Sequence, residues 1–239
     1  MKTYQIHFIR HGITDGNSKG QYIGSMDLPL SDAGRQELLA LDAAYIYPGA
    51  AAYLTSPLQR CTQTAALLYP AARPVALDAF RECDFGEFEG LTAEELRSSP
   101  DFAAWLSSDG QTAPPAGESG ADFGRRVCQG FETVVEGMMK TGIPSVVMVT
   151  HAGVIATILA QYGLPEAGMA EWTMAPGCGY SVRIHPQLWT AARKVEVYQT
   201  LPLPREDEDD DAAYGRYDEE DAYFIDAEEE HADVSGGEA

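Results

Sequence analysis

Five residues able to do chemistry fall at the boundaries of secondary-structure elements. Arg10 and His11 follow an opening apolar run, Arg60 sits at the start of a helix, Glu82 lies in a charged loop, and His151 follows a second apolar run. Arginine offers planar, permanently charged, bidentate recognition of phosphate, so two guanidiniums beside two imidazoles describe a pocket for a compact polyanion such as a phosphoryl group. A histidine ring nitrogen can attack phosphorus, a carboxylic acid such as Glu82 can protonate the departing oxygen, and water can then hydrolyse the phosphorylated enzyme. Amides beside Gly12 and Gly153 would add backbone donors to the anion. The acidic neighbours Asp84 and Glu87 would favour the protonated form of Glu82. Singly these residues carry little weight; their combination is specific.

The elements that must place them can be traced along the chain. Ile6-His7-Phe8-Ile9 has the character of a strand buried on both faces, and it stops at Arg10-His11-Gly12. In open α/β sheets ligands bind beyond the carboxyl ends of strands, which is where these side chains would stand. Asn17 falls in the following loop. Ser31 caps a helix carrying Leu38, Leu41 and Tyr45, ended by Pro48-Gly49. After a short strand at Ala51–Thr55, Ser56-Pro57 reads as N-cap and first helical residue, putting Arg60 in the first turn of a helix that runs to about Tyr69. Pro74–Leu77 is another short strand, and Arg81–Gly90 a charged loop. Thr92 and Glu95 form a capping box expected to open one helix through roughly Leu106, followed by a flexible connection over Asp109–Gly117. From about Ser119 a long helix buries Phe123, Val127, Phe131, Val134 and Met138. Ser145–Thr150 is the clearest buried strand; it ends at His151, and Ala152-Gly153 opens a helix to about Tyr162. Tyr180–Ile184 and Val195–Tyr198 alternate like antiparallel strands near a sheet edge. The alternation predicts an α/β fold, a three-layer sandwich whose mostly parallel central sheet has an antiparallel edge and helices on both faces.

Charge is unevenly placed. The stretch 205–239 holds 16 acidic and 2 basic residues, so it carries −14 of the net −21 and leaves −7 for residues 1–204. The sequence therefore divides into a domain over 1–204 and an acidic tail over 205–239, expected to be disordered because it has too little apolar surface to offset the entropy of ordering. A mildly acidic body lacks the clustered Lys and Arg that nucleic acid or an anionic membrane would need. The cysteines Cys61, Cys83, Cys128 and Cys178 are widely spaced, with no CxxC pair or His at metal-ligand spacing, which fits reduced thiols. Lys2 leads directly into a strand pattern and no run approaches 18 apolar residues, so neither export nor membrane anchoring is expected and a cytoplasmic location follows.

Arg10-His11-Gly12-x-Thr14-x-x-Asn17, Leu30-Ser31-x-x-Gly34, Ser56-Pro57-Leu58-x-Arg60, Arg81-Glu82-x-x-Phe85-Gly86-x-Phe88-Glu89-Gly90 and Val149-Thr150-His151-Ala152-Gly153 together resemble the histidine phosphatase, or phosphoglycerate-mutase-like, superfamily over roughly residues 4 to 200. The resemblance implies His11 as a nucleophile that becomes phosphohistidine, with Arg10, Arg60 and His151 completing the phosphate pocket and Thr14 and Asn17 supporting phosphoryl oxygens. It implies Gly12, Ile23, Gly24, Ala152 and Gly153 as further substrate-binding positions. It also implies Glu82 as general acid and then base, with Glu89 the competing carboxylate of that loop. Superfamily mutases carry an extended basic insertion after this loop; here Gly90-Leu91-Thr92 runs straight into the next helix. The compact loop is similar to broad-specificity phosphatases and α-ribazole phosphatases. The implied activity is hydrolysis of a small-molecule phosphate monoester, with α-ribazole phosphate one candidate, since these motifs do not encode the choice of substrate. Mutase-type transfer and a non-catalytic phosphate-ester-binding module are the alternatives. No cofactor and no metal are expected, because the arginines neutralise the phosphate.

Several other residues have plainer readings. Ser119 lacks the full glycine pattern of a nucleophile elbow, with Ala121 where the second glycine would fall, and is expected to cap a helix. Gly177-x-Gly179 follows no strand and has Val182 where a third glycine would fall, so dinucleotide binding is not expected. Arg125 and Arg126 could reach a distal acid of a substrate, but a solvated helix face is the first expectation. His7 and His185 are expected to be structural, and Trp105, Trp172 and Trp189 to serve packing.

Overall fold

The computed structural model describes residues 2–108 and 112–205. Strands β1 (Tyr4–Arg10), β2 (Tyr45–Ile46), β3 (Ala52–Thr55), β4 (Val75–Ala76), β5 (Ser145–Thr150), β6 (Gly163–Leu164), β7 (Gly179–Ile184), β8 (Val195–Leu201) and β9 (Leu203–Pro204) alternate with helices α1 (Asp15–Ser18), α2 (Asp32–Ala44), α3 (Gln59–Leu68), α4 (Ala93–Leu96), α5 (Pro100–Ser107), α6 (Gly120–Thr141), α7 (Ala152–Tyr162) and α8 (Pro186–Ala192). Seven strands form one sheet in the order β4-β3-β5-β1-β7-β8-β6. The pairs β4–β3, β3–β5 and β5–β1 are parallel, and β7 runs antiparallel to both β1 and β8. This is the expected mostly parallel sheet with its antiparallel side.

The layering follows from alternation along the central strands. Val146 and Met148 of β5 join the cluster formed by Phe123, Val127, Phe131, Val135 and Met138 of α6 and by Val154, Ile155, Ile158 and Leu159 of α7. Val147 and Val149 turn to the other face, against Leu38 of α2 and Cys61, Ala65 and Leu68 of α3. Because helices cover both faces, every residue of β5 after Ser145 is buried. Phe131 packs on Phe8, Tyr162 and Trp189, with ring centroids 5.1 to 6.1 Å apart.

Local differences from the sequence expectation have identifiable causes. On α6 the buried position is Val135; Val134 only flanks the core, since four-residue steps from Phe123 lead to Val135. The single helix expected from Thr92 to Leu106 is two: Thr92 and Glu95 form their capping box on α4, and Ser99 with Pro100 then caps and starts α5. Proline cannot continue the first helix, because it lacks the amide and its ring collides with the preceding turn. The second helix ends at Ala44, before Pro48-Gly49, because Tyr45–Ile46 pairs with Leu203–Pro204 as a separate ribbon. Arg205, read as the first tail residue, donates to the carbonyls of Ala43 and Asp42. The rest of the tail, and Asp109–Gln111 of the connection, lie outside the described residues. Among the described residues no helix is long and apolar enough to cross a membrane.

Candidate active site

Strand register assembles the site. In the β1–β5 pair Arg10 lies opposite Thr150, so the next residues, His11 and His151, leave the sheet side by side. Their ring centroids are 5.1 Å apart at 66°. On the other side of β5, Thr55 of β3 is paired with Val149, which brings Ser56 level with the same strand end. Ser56 Oγ stands 2.8 Å from His151 Nε2. The N-cap of α3 is Leu58, and Ser56, expected to cap that helix, instead bonds the imidazole. Arg60 lies in the first turn of α3, as expected.

The tautomer of His11 follows from its partner. Its Nδ1 is 2.7 Å from the carbonyl oxygen of Gly12. A carbonyl can only accept, so Nδ1 carries the proton and Nε2 keeps its lone pair. Burial, and then the adjacent Arg60 and Arg10, push the His11 pKa down to about 3, so the ring is neutral at physiological pH. His151 is driven well below the usual histidine range by burial and by His11, Arg60, Arg126 and Arg10.

Both guanidiniums are aimed by backbone carbonyls. Arg10 Nη1 donates to Met174 O at 2.8 Å. Arg60, fully buried, donates through Nη1 to Met26 O at 2.8 Å and through Nη2 to Gly24 O at 2.7 Å. Arg10 Nε and Arg60 Nε are buried with no hydrogen-bond partner among the described residues. Carbonyl anchors leave the positive charge uncompensated, which suits an anion as further acceptor. Among the described residues no three His, Cys, Asp or Glu side chains are grouped as a metal site.

Glu82 is held by amides. Its Oε1 accepts from Cys83 N and its Oε2 from Gly153 N, each at 3.1 Å. A Cβ on Gly153 would collide with Oε1, so glycine is what permits this approach. Burial raises the Glu82 pKa, opposed by the two amides and by Arg60 and Arg10. The shift therefore arises from desolvation and not, as the sequence suggested, from Asp84 and Glu87. Glu89 does different work: Oε1 accepts from the amide and hydroxyl of Ser25 and from Phe85 N, and Oε2 accepts from Met26 N. It laces the Gly24–Met26 segment to the loop that carries Glu82. Gly24 itself admits no side chain, since a Cβ would run into Cys83 O.

The remaining expected positions divide. Thr14 and Asn17 are the N-cap and third residue of the short helix α1, and they form a reciprocal capping box instead of a loop. Asn17 Oδ1 accepts from Thr14 N and Oγ1, so what Asn17 can offer an anion is its Nδ2 amide. Thr14 and Ile23 are buried, and Ile23 packs against Gly16. The amides of the two glycines themselves are already committed, so backbone donors to an anion would have to come from residues beside them: Gly12 N donates to Thr64 Oγ1 at 3.0 Å, and Gly153 N to Glu82. Ala152 begins α7 beside His151. His7 bonds Ser181, His185 faces Glu196, and Ser119 caps α6, as their plainer readings held. Sequence reasoning missed the support given by Ser56 and Thr64, although Ser56 lies inside a quoted motif. A cleft of about 630 Å³ opens beside Glu82, lined by Ser25, Asp78, Arg81, Asp84, Glu118 and Arg126 among others.

The mixed sheet, with Arg10, His11 and His151 at adjoining strand ends and Arg60 on the helix beside them, defines an α/β protein. Residues 6–196 match the histidine phosphatase superfamily (branch 1), and the chain belongs to that family. Glucosyl-3-phosphoglycerate phosphatase of Mycolicibacterium vanbaalenii is 28% identical over 221 residues, covering 82% of this chain and 98% of that protein. Bifunctional protein Rv2228c of Mycobacterium tuberculosis is 35% identical over 159 residues, 63% of this chain but 42% of that protein. The crystal structure of α-ribazole phosphatase from Shigella flexneri shares the fold, with a TM-score of 0.71 at 20% identity, covering 85% of this chain and 100% of that one.

Proposed function

We propose that the chain hydrolyses a small phosphate monoester through a phosphohistidine at His11. The observation that carries this reading is the Gly12 carbonyl on His11 Nδ1, which leaves Nε2 as a neutral, unprotonated nucleophile beside the buried Arg60 and the partly buried Arg10. Nε2 attacks phosphorus while the bond from phosphorus to the leaving oxygen breaks, and the Glu82 carboxylic acid gives that oxygen its proton. The Glu82 carboxylate then takes a proton from water, whose oxygen attacks phosphorus and breaks the P–N bond to release phosphate. The raised Glu82 pKa supports both steps, because it brings acid and base forms closer to neutrality. Arg10 and Arg60 hold the phosphoryl charge, His151 and Asn17 contribute further donors, and Gly12, Thr14, Ile23, Gly24, Ala152 and Gly153 shape the pocket wall. Glu89, occupied by three amides and a hydroxyl, has the partners of a structural group.

The cleft beside Glu82 would receive the alcohol. The compact loop after Gly90, which lacks the basic insertion of the mutases, supports hydrolysis over transfer. α-Ribazole phosphate and glucosyl-3-phosphoglycerate are the first substrates to try. The four free cysteines fit a cytoplasmic enzyme. The test is rapid quench into alkali after brief exposure to substrate. Alkali-stable, acid-labile phosphate should appear on the wild-type chain and be absent from His11→Asn; its presence in that variant would overturn the assignment. Product analysis should give free phosphate, and an isomerised monoester would replace hydrolysis with transfer.

A further inference from the structure

Arg126 and Glu118 stand on the wall of the cleft beside Glu82 and touch neither its carboxyl group nor His11, yet they lock the backbone that carries Glu82. Arg126 of α6 donates through Nη1 to Ala79 O at 3.1 Å and Arg81 O at 3.0 Å, and its Nη2 lies 3.5 Å from Glu82 O. The same guanidinium is paired with both carboxylate oxygens of Glu118, Nε to Oε1 at 3.0 Å and Nη2 to Oε2 at 2.6 Å. It lies over the ring of Phe123, 5.3 Å from the centroid, and that ring is buried in the core. The remaining carbonyl of the stretch, Phe80 O, accepts from Thr150 Oγ1 at 2.9 Å, and Glu118 N donates to Asp84 O at 2.8 Å.

Four successive carbonyls, from Ala79 to Glu82, thus face side-chain donors instead of a strand or helix partner. Beyond the single 3-10 turn at Asp78–Phe80 the segment has no ladder to fix it, so such clamps decide where its side chains stand. The pair is also sheltered, with side chains 29% and 19% exposed, unlike the open pair Arg125–Asp122 at 61% and 58%. Arg125 therefore meets the expectation of a solvated helix face, and Arg126 does not.

We propose that the Arg126–Glu118 pair is a positioning device for the Glu82 proton donor, an inference that rests on the role given to Glu82 above. The guanidinium fork suits the task because it meets a carboxylate bidentately while its remaining N–H groups reach carbonyls; a lysine ammonium cannot match that geometry.

The test uses the full chain and compares kcat/KM for an alkyl phosphate, which needs a proton on its leaving oxygen, with that for p-nitrophenyl phosphate, which barely does. Arg126→Met should lose about 30-fold on the alkyl ester and less than about 3-fold on the nitrophenyl ester, because misplacing a proton donor by a fraction of an ångström removes much of its contribution. Arg126→Lys and Glu118→Gln should show the same selectivity at roughly 5-fold. If Arg126→Met does not fold, the near-isosteric Glu118→Gln decides by the same ratio. Equal losses on both esters, or none, in variants that fold would overturn the proposal while a selective loss in Glu82→Gln leaves the donor role standing. No selective loss in Glu82→Gln would overturn the donor role and the positioning role with it.

Discussion

Replacing Gly153 by alanine isolates the placement of Glu82 from its presence. The added Cβ would overlap Glu82 Oε1 outright and stand 3.1 Å from Cδ and 3.2 Å from Oε2, where ordinary contact begins near 3.4 Å. The carboxylate must retreat by about 1 Å and give up its bond from Gly153 N. A hydrogen bond to a charged group contributes about 1.5–3 kcal/mol, and alanine at a helical position returns up to about 1 kcal/mol, so the net loss of stability is about 1 kcal/mol. For a domain of this size that is a fall in Tm of about 2–4 °C. Catalysis suffers more, since a displacement of about 1 Å in a reacting group costs about 100-fold. The kcat/KM for an alkyl phosphate should fall by about that factor, and that for p-nitrophenyl phosphate by less than about 10-fold. Steady-state kinetics on the two esters, with a thermal melt, checks both numbers. An equal fall on both esters would refute the view that Gly153 serves proton delivery, and a Tm loss beyond about 10 °C would mark the contact as structural.

Other expectations follow from the same geometry. Because the His11 pKa is held near 3 and the unfolded chain titrates at the ordinary value of about 6.5, the unfolded state binds the extra proton in between, so stability falls as pH drops through that window. Between about pH 7 and pH 5 this site alone removes about 2 kcal/mol, and His11→Asn should show a correspondingly flatter dependence of Tm on pH in phosphate-free buffer. The raised Glu82 pKa predicts that kcat/KM for an alkyl phosphate declines as pH rises through it, and Glu82→Gln should remove that limb from the profile. Ser56→Ala deletes the buried hydroxyl on His151 Nε2 and should cost about 1–3 kcal/mol in denaturant unfolding, with nothing at that position to replace it. Phe102, 4% exposed and packed among Tyr22, Phe88 and Trp105, holds the separate aromatic cluster under α4 and α5. Phe102→Ala should cost about 3 kcal/mol there, seen as faster proteolysis around α5 before the global melt shifts.

Where apolar pattern and element coincide, the fold was legible in the sequence: Val146–Val149 announces a strand covered on both faces, and the repeat from Phe123 to Met138 a core-facing helix. The sequence singled out Arg10, His11, Arg60, Glu82 and His151 by residue type, and the structure brings the five together. Register was not legible. Nothing local says that Arg10 pairs with Thr150 and Thr55 with Val149, and that pairing is what turns Ser56 from a supposed helix cap into a partner of His151. Commitments of single hydrogen atoms were equally hidden, as with the Gly12 and Gly153 amides, since they depend on Thr64 and Glu82, distant in sequence. The division of one helix at Pro100 could have been read from Ser99-Pro100, a signal outweighed by the apolar residues around it.

The segment from Gly24 to Met26 gives its carbonyls to Arg60, its amides to Glu89, and its Gly24 Cα surface to Cys83 O. A substitution there moves the guanidinium and the acid-bearing loop together. Mutations at Arg60 and near Glu82 should therefore be non-additive, and lineages drifting toward a new alcohol would be held back at this strap, where a change that suits the leaving group disturbs the grip on phosphate. Novelty in substrate choice has an easier route through the side chains of Asp78 and Arg81 on the cleft wall, which lie outside the Gly24–Met26 segment.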